Sequence, residues 1–309
     1  MPAIGFICPD QQRITFRNCF EKCRLEEDLP MGRCKAIPYL RKIAVQREWT
    51  GTPSTTQLIG GTREAFLKIT KPYFIDPEKR IFMFHGTNVH WIIEKFGGEG
   101  DEFSEERLGD EICTGAFDFY DGSQQILYDY KTWGSYKVMQ ALGIKKKDGI
   151  PILDDSGEPV VYKTGPKRGQ TKTKSIFIEG DLVTRCFALF ETSIQLSNYR
   201  DKLLTILPKG YGVKKMAIQV ISRDAGLQVA RQRNVTVNAP LIPVNGMSKV
   251  WVDRYLSRKR DLLLTALEQG FAPICRRRER WDKDKKCIDY CDVHDHCAHY
   301  VQNLMGKGA

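Results

Sequence analysis

Apolar positions recur with helical spacing in four stretches and alternate with strand spacing in several others. Thr52-Pro53-Ser54 opens a predicted helix from Thr55 to about Ile69, with Ser54 or Thr55 placed to cap its free amides. Pro72 and Pro77 interrupt the next connection. Lys79 to Phe96 then reads as a helix whose apolar positions are Phe82, Val89, Ile92, Ile93 and Phe96, and Gly97-Gly98 end it. The polar run from Glu99 to Arg107 reads as a loop. Strand patterns follow at Ile112 to Phe119 and Gln125 to Tyr130, with Asp121-Gly122 as the hairpin signal, because those residue types tolerate positive φ. From Lys145 to Lys174 the chain is rich in Gly, Pro, Asp and Lys, which predicts a short strand pair with exposed loops. Glu179 to Ile206 reads as a helix, Met216 to Ser222 and Leu227 to Asn234 as strands, and Val250 to Gln269 as the last long helix. There is no internal repeat and no coiled-coil period. The mixture predicts an α/β fold.

At 309 residues the chain has room for one elaborated domain or two. Composition shifts divide it into a cysteine-rich segment over 1–50, a central body over 51–270 with a basic insertion around 145–178, and a second cysteine-rich segment over 271–309. Its 41% hydrophobic content supplies a sizeable core, and 28% charged residues argue against both global disorder and a membrane protein. No apolar stretch approaches the length that spans a bilayer, and no secretory leader pattern opens the chain, so it reads as intracellular. The net charge of +10 favours a polyanionic partner. The excess is concentrated in the insertion (Lys163, Lys167, Arg168, Lys172, Lys174) and in the run Arg276, Arg277, Arg278, Arg280, which ends beside Trp281. These patches suit phosphate tracking, and Tyr162 or Phe177 would add base stacking if exposed.

Cysteines cluster at the two ends: Cys8, Cys19, Cys23 and Cys34, then Cys275, Cys287, Cys291 and Cys297. Thiolate metal sites explain two groups of four more economically than an extracellular disulfide framework. Cys113 and Cys186 have apolar neighbours and read as core side chains. A four-cysteine zinc site would staple the first segment, which is too short for a strong core of its own. His294, His296 and His299 leave zinc open at the second group as well.

The strongest chemical signal is Gly115-Ala-Phe-Asp118 followed by Asp129-Tyr130-Lys131. Period-two alternation puts Asp129 and Lys131 on one face of a strand and Tyr130 on the other. A hairpin brings Asp118 beside Asp129, and a divalent cation offsets the repulsion of the two carboxylates. Lys131 would orient or deprotonate water, or stabilise developing charge. The same three residues also fit a hairpin turn beside an exposed strand pair.

In order along the chain, Gly86-Thr-Asn-Val-His90, Asp118, Asp129/Lys131 and Gln195-Leu-Ser-Asn-Tyr199 resemble the PD-(D/E)xK nuclease superfamily. Within it they resemble the RecB-like branch that includes the CRISPR-associated iron–sulfur exonucleases and their phage relatives. The resemblance covers about Thr52 to Tyr199. It implies a restriction-endonuclease-like core: a mixed central sheet, flanking helices and cysteine-rich terminal elements. His90, Asp118 and Asp129 would hold Mg²⁺ or Mn²⁺, and Lys131, Gln195 and Tyr199 would complete the catalytic set. Glu94 and Glu111 are secondary carboxylate candidates. The iron–sulfur members pair one cysteine before the core with three near its end. With the two terminal quartets kept separate here, Cys275, Cys287, Cys291 and Cys297 would hold a [4Fe–4S] cluster, and Cys8, Cys19, Cys23 and Cys34 the zinc that their own spacing suggests.

Two departures from the branch stand out. Cys287-x3-Cys291 has a longer gap than usual, and Gly60-Gly61-Thr62 stands where an early cysteine is expected. A partition in which Cys34 joins the last three cysteines therefore stays open. The implied activity is metal-dependent phosphodiester hydrolysis, as an exonuclease on single-stranded DNA or resected ends. Its setting would be replication, recombination or repair in the cytoplasm or nucleoid of a bacterial or phage-infected cell, with recombination or replication proteins as partners. Two alternatives remain: a DNA-binding adaptor with a non-productive nuclease core, and an iron–sulfur or zinc structural factor of a recombination complex.

Overall fold

The computed structural model describes residues 3–305; residues 1–2 and 306–309, the outer ends of the two cysteine-rich segments, lie outside it. Strand β1 (Ala3–Ile7) pairs antiparallel with β2 (Arg13–Thr15). The Thr15 hydroxyl accepts from Asn18 N at 3.3 Å and so caps α1 (Phe16–Glu21). An irregular stretch leads to α2 (Ile37–Ala44), and a Ser54/Gln57 capping box opens α3 (Thr55–Ile59). The single helix expected from Thr55 to Ile69 instead breaks at Gly60-Gly61 and restarts as α4 (Thr62–Thr70). Two successive glycines weaken the helix there, and Gly61 also leaves room for the C-terminal segment, since a Cβ on it would lie 2.7 Å from Cys275 Sγ. Strand β3 (Tyr73–Ile75) then returns parallel to β1.

After a 3₁₀ turn comes α5 (Ile81–Glu94). The stretch expected to be loop at 99–107 contains β4 (Glu102–Ser104) and leads into β5 (Arg107–Gly109). Pairing completes these three-residue strands: β6 (Thr114–Ala116) pairs with its near neighbour β5, and β7 (Phe119–Asp121) with the more distant β4. β7 turns into β8 (Ile126–Trp133), but the left-handed residue of that turn is Gln125, at φ 58°, not Gly122. Gly122 is needed for room, because a Cβ there would collide with the Asp101 carbonyl.

Helix α6 (Ser135–Ala141) precedes the basic insertion, whose β9 (Lys145–Pro151) and β10 (Thr173–Ile178) form the expected antiparallel pair. Asp181 caps α7 (Leu182–Leu203), accepting from Thr184 N at 2.7 Å. β11 (Lys215–Ser222) lies parallel to β8. Leu227 to Asn234, expected as a strand, contains the short helix α8 (Gln228–Arg231). Its Leu227 and Val229 are exposed while Ala230 and Val235 are buried, so the apolar residues do not alternate between two sheet faces. β12 (Leu241–Pro243), α9 (Lys249–Gln269), α10 (Arg277–Arg280) and α11 (Ala298–Asn303) complete the chain.

The central sheet has the order β12-β11-β8-β7-β4, parallel only between β11 and β8. Helices cover both faces. Gly86 of α5 meets Thr132 on one side of β8, and Gln195 of α7 reaches Asp129 on the other. This mixed sheet flanked by helices is an α/β architecture compatible with restriction-endonuclease-like folds. Helix α7 divides two apolar clusters: Ile194 joins Phe6, Leu40, Leu58, Leu256 and Val293, while Leu189, Leu196 and Leu203 join Phe117, Leu127 and Ile218. Among the described residues, no helix is long and apolar enough to cross a membrane.

Candidate metal centre

Cross-strand register builds the centre. Ser104 of β4 pairs with Phe119, and Phe119 pairs with Tyr128 of β8. Just past these pairs, Glu105 follows the end of β4, Asp118 precedes β7, and Asp129 lies on β8. The Glu105 amide donates to the Asp118 carbonyl at 3.2 Å, and the Tyr130 amide donates to Asp118 Oδ2 at 2.6 Å. His90 comes down from α5, which approaches β8 closely because Gly86 leaves only 3.2 Å between a notional Cβ and Thr132 Oγ1. Its Nε2 lies 2.9 Å from the Tyr130 carbonyl and donates to it. That bond aims Nδ1 at the carboxylates, 3.6 Å from Asp118 and 3.8 Å from Glu105.

His90, Glu105 and Asp118 offer ligand atoms within 4.8 Å of one another, and this is the one such cluster of His, Cys, Asp and Glu among the described residues. The cluster, with Asp118 buried and the other two half-buried, is capable of chelating a divalent metal ion. Asp118 and Glu105 hold His90 protonated, raising its pKa to about 10 against the opposing effect of burial. Metal uptake must therefore displace a proton. Glu105 is the ligand that sequence reading missed, since its strand is three residues long inside an acidic run. Glu94 and Glu111, the secondary candidates, stay outside the cluster: both are exposed, and Glu111 offers only its carbonyl, to Arg260.

Asp129 and Lys131 sit on the opposite face of β8 from Tyr130, as alternation requires. Burial pushes the Asp129 carboxyl up, and the Lys131 ammonium 2.6 Å from Oδ2 only partly offsets it. The contact is an ion pair with poor hydrogen-bond angles, so buried Oδ2 has no hydrogen-bond partner. Burial alone would lower the Lys131 pKa, but Asp129 and Asp118 outweigh it and raise it. Lys131 is thus a cation in the metal-free protein, suited to charge stabilisation more than to accepting a proton. Gln195 Nε2 donates weakly to Asp129 Oδ1, at 3.4 Å, and to Tyr199 Oη, at 3.3 Å. Tyr199 is only 3% exposed and packs where a Cβ on Gly115 would collide with its ring. Tyr199 therefore has no access to a DNA strand; with Gln195 it positions Asp129.

The cysteines gather at two separate places. Cys275, Cys287, Cys291 and Cys297 line one cavity together with Glu64, Arg280 and His299. Burial pushes the Cys287 thiol up to about 11 and the Cys291 thiol up to about 12. An ion-pair ladder crosses this region: Lys286 and Lys68 each lie 2.8 Å from Glu64, Lys68 lies 3.1 Å from Asp292, and Asp292 lies 2.6 Å from Arg80 at the foot of α5. Burial pushes the Cys19 thiol up to about 11, with a smaller contribution in the same direction from Cys34, Cys8 and Cys23 nearby. Among the described residues no three cysteine sulfurs come within 4.8 Å of one another, so neither group is preset at the spacing of a tetrahedral zinc site. Cys113 is buried as expected, but Cys186 is exposed on the outer face of α7.

Several expected surface contacts are already committed. Phe82 and Phe96, assigned to the core by periodicity, are 55% and 84% exposed because α5 touches the sheet only along its Gly86–His90 side. Arg223 lies over the Phe82 ring at 3.8 Å and Lys95 over Trp91 at 3.5 Å. In the insertion, Lys167 and Lys172 flank Tyr162, while Phe177 packs against the second apolar cluster and is not free to stack. Arg278 covers Phe190 at 3.4 Å and Arg280 pairs with Asp284, leaving Arg276 and Arg277 as the more available members of that run.

Comparison with protein-family models and with curated proteins finds no match. A solved structure described as "Crystal structure of SSO0001" is similar over 84% of this chain and 92% of its own, at 12% identity and a TM-score of 0.39, a likeness too low to carry an argument.

Proposed function

We propose that the protein is a metal-dependent deoxyribonuclease of the RecB-like PD-(D/E)xK type, acting as an exonuclease on single-stranded DNA or resected ends in replication, recombination or repair. The observation that carries this reading is the cluster of His90, Glu105 and Asp118 where β4 ends and β7 begins, together with the Asp129–Lys131 ion pair on β8. The donor set of one imidazole and hard carboxylates fits Mn²⁺ or Mg²⁺. When bound, the cation would polarise the scissile phosphate and raise the acidity of water. His90, Glu105 and Asp118 hold it; Asp129, oriented by Gln195, completes the acidic wall. Lys131 stabilises the negative charge that develops on the phosphoryl oxygens. Phe82 with Arg223, and Trp91 with Lys95, offer stacking faces backed by cations along the helix that carries His90. Cys275, Cys287, Cys291 and Cys297, which share one cavity, would hold a [4Fe–4S] cluster.

The decisive measurement is cleavage of 5′-labelled, 3′-labelled and circular DNA with Mg²⁺ or Mn²⁺. We expect mononucleotide or short products from linear substrates, and loss of cleavage in Asp118→Asn, Asp129→Asn and Lys131→Met proteins that keep the wild-type circular dichroism spectrum. Undiminished cleavage by Asp129→Asn would sink the assignment. Metal and DNA binding without any wild-type cleavage would identify a DNA-binding adaptor instead.

A further inference from the structure

Residues 22–36 contain neither helix nor strand, and only Leu25 among them is buried. A segment of that length costs far more conformational entropy to order than one leucine offsets. Its side chains make few polar contacts: Arg33 donates to the Cys19 carbonyl at 2.8 Å, Arg24 pairs with Asp10, and Lys35 pairs with Glu78. Short-range backbone bonds, such as Glu26 N to the Cys23 carbonyl and Leu29 N to the Leu25 carbonyl, shape its turns. What the segment does have is cysteines at its joints. Cys8 follows β1 in the tight turn where Cys8 N donates to the Gln12 carbonyl at 2.7 Å. Cys19 is buried on α1, Cys23 follows the end of that helix, and Cys34 precedes α2. None of the four is in a disulfide.

We infer that Cys8, Cys19, Cys23 and Cys34 form a structural site for a thiophilic divalent cation, zinc, separate from the C-terminal cysteine cavity. Cys19-x3-Cys23 has the short spacing by which one turn of chain presents two thiolates to a tetrahedral ion. Cys23 and Cys34 lie in turns outside any strand ladder or helix, so they move onto a metal without breaking regular hydrogen bonds. Four thiolates around zinc carry a net charge of about −2, and Lys22 and Arg33 stand in the same short stretch to offset it. Binding releases the thiol protons and supplies the ordering free energy that the segment's own burial does not. The inference does not rest on the nuclease reading.

The test uses the full chain, purified anaerobically from zinc- and iron-supplemented medium and freed of loosely held ions. We expect about one zinc per chain in the wild type and in Cys287→Ser/Cys291→Ser, and its loss in Cys19→Ser/Cys23→Ser. Because the last variant risks misfolding, alkylation of the wild-type protein with peptide mapping provides a second readout. Cys8, Cys23 and Cys34 should be shielded until a strong chelator strips zinc, while exposed Cys186 reacts throughout. Iron in place of zinc, zinc lost with the C-terminal pair, or alkylation of the four cysteines that chelation does not change would each overturn the inference.

Discussion

Glu105 holds a backbone φ of 50°, a left-handed conformation that costs a non-glycine side chain about 1–3 kcal/mol. The same bend ends β4 and leaves the carboxylate 3.8 Å from His90 Nδ1. Strain at a residue that faces two other ligand atoms is what a binding role would retain. We therefore expect Glu105→Gln to keep the fold and weaken Mn²⁺ binding roughly 10-fold or more, since even residues that only orient ligands are worth that much. Calorimetric titration at constant pH measures it; an unchanged affinity would remove Glu105 from the metal set. Gln195 and Tyr199 illustrate the other way a residue serves such a site, through Asp129 and from inside the core.

Among elements, α7 does most to position the centre, because it is wedged between both apolar clusters. It also grips the loop before β6. Buried Lys202 pairs with Asp110 and donates to the Cys113 carbonyl at 3.0 Å, while Asp110 accepts from the Ile112 and Cys113 amides at 2.9 Å each. Burial raises the Asp110 pKa, but the Lys202 bond and these amides outweigh it and leave it lowered. A carboxylate depressed in the native state adds stability above its unfolded pKa of about 3.9, and that stability is lost as pH falls through the lower native value. Asp110→Asn should thus cost about 1–3 kcal/mol at pH 7, by leaving a buried cation unpaired. The difference from wild type should shrink as acid protonates Asp110. Urea unfolding at neutral and acidic pH checks both parts, and a pH-independent difference would argue against the ion pair as its cause.

For the molecule as a whole, the net charge of +10 gains meaning from where it is free. Much of the Arg276–Arg280 run is used internally, whereas the β9–β10 insertion carries its lysines on an exposed hairpin. On the nuclease reading, replacing Lys167, Arg168, Lys172 and Lys174 with serine should weaken single-stranded DNA binding. Each lost phosphate contact should flatten the dependence of log K on log salt by about 0.7. An unchanged slope would place the insertion away from the DNA path. The sequence by itself determined the elements whose hydrogen bonds are local or whose pattern is long: α5, α7, α9, β8 and β11. It also singled out Asp118, Asp129 and Lys131, because period-two alternation and a hairpin are short-range geometry; His90 stands out only through the resemblance of its Gly86-to-His90 motif. Only the tertiary structure decided β4, a three-residue strand completed by the later strand β7, and β5, in and at the end of a stretch that reads as loop, and with β4 the position of Glu105. It likewise decided that Cys275, from the far end of the chain, packs against Gly61 at the break between α3 and α4, and that Phe82 and Phe96 are exposed. Periodicity reports that a face is apolar; what covers that face depends on contacts between residues far apart in sequence.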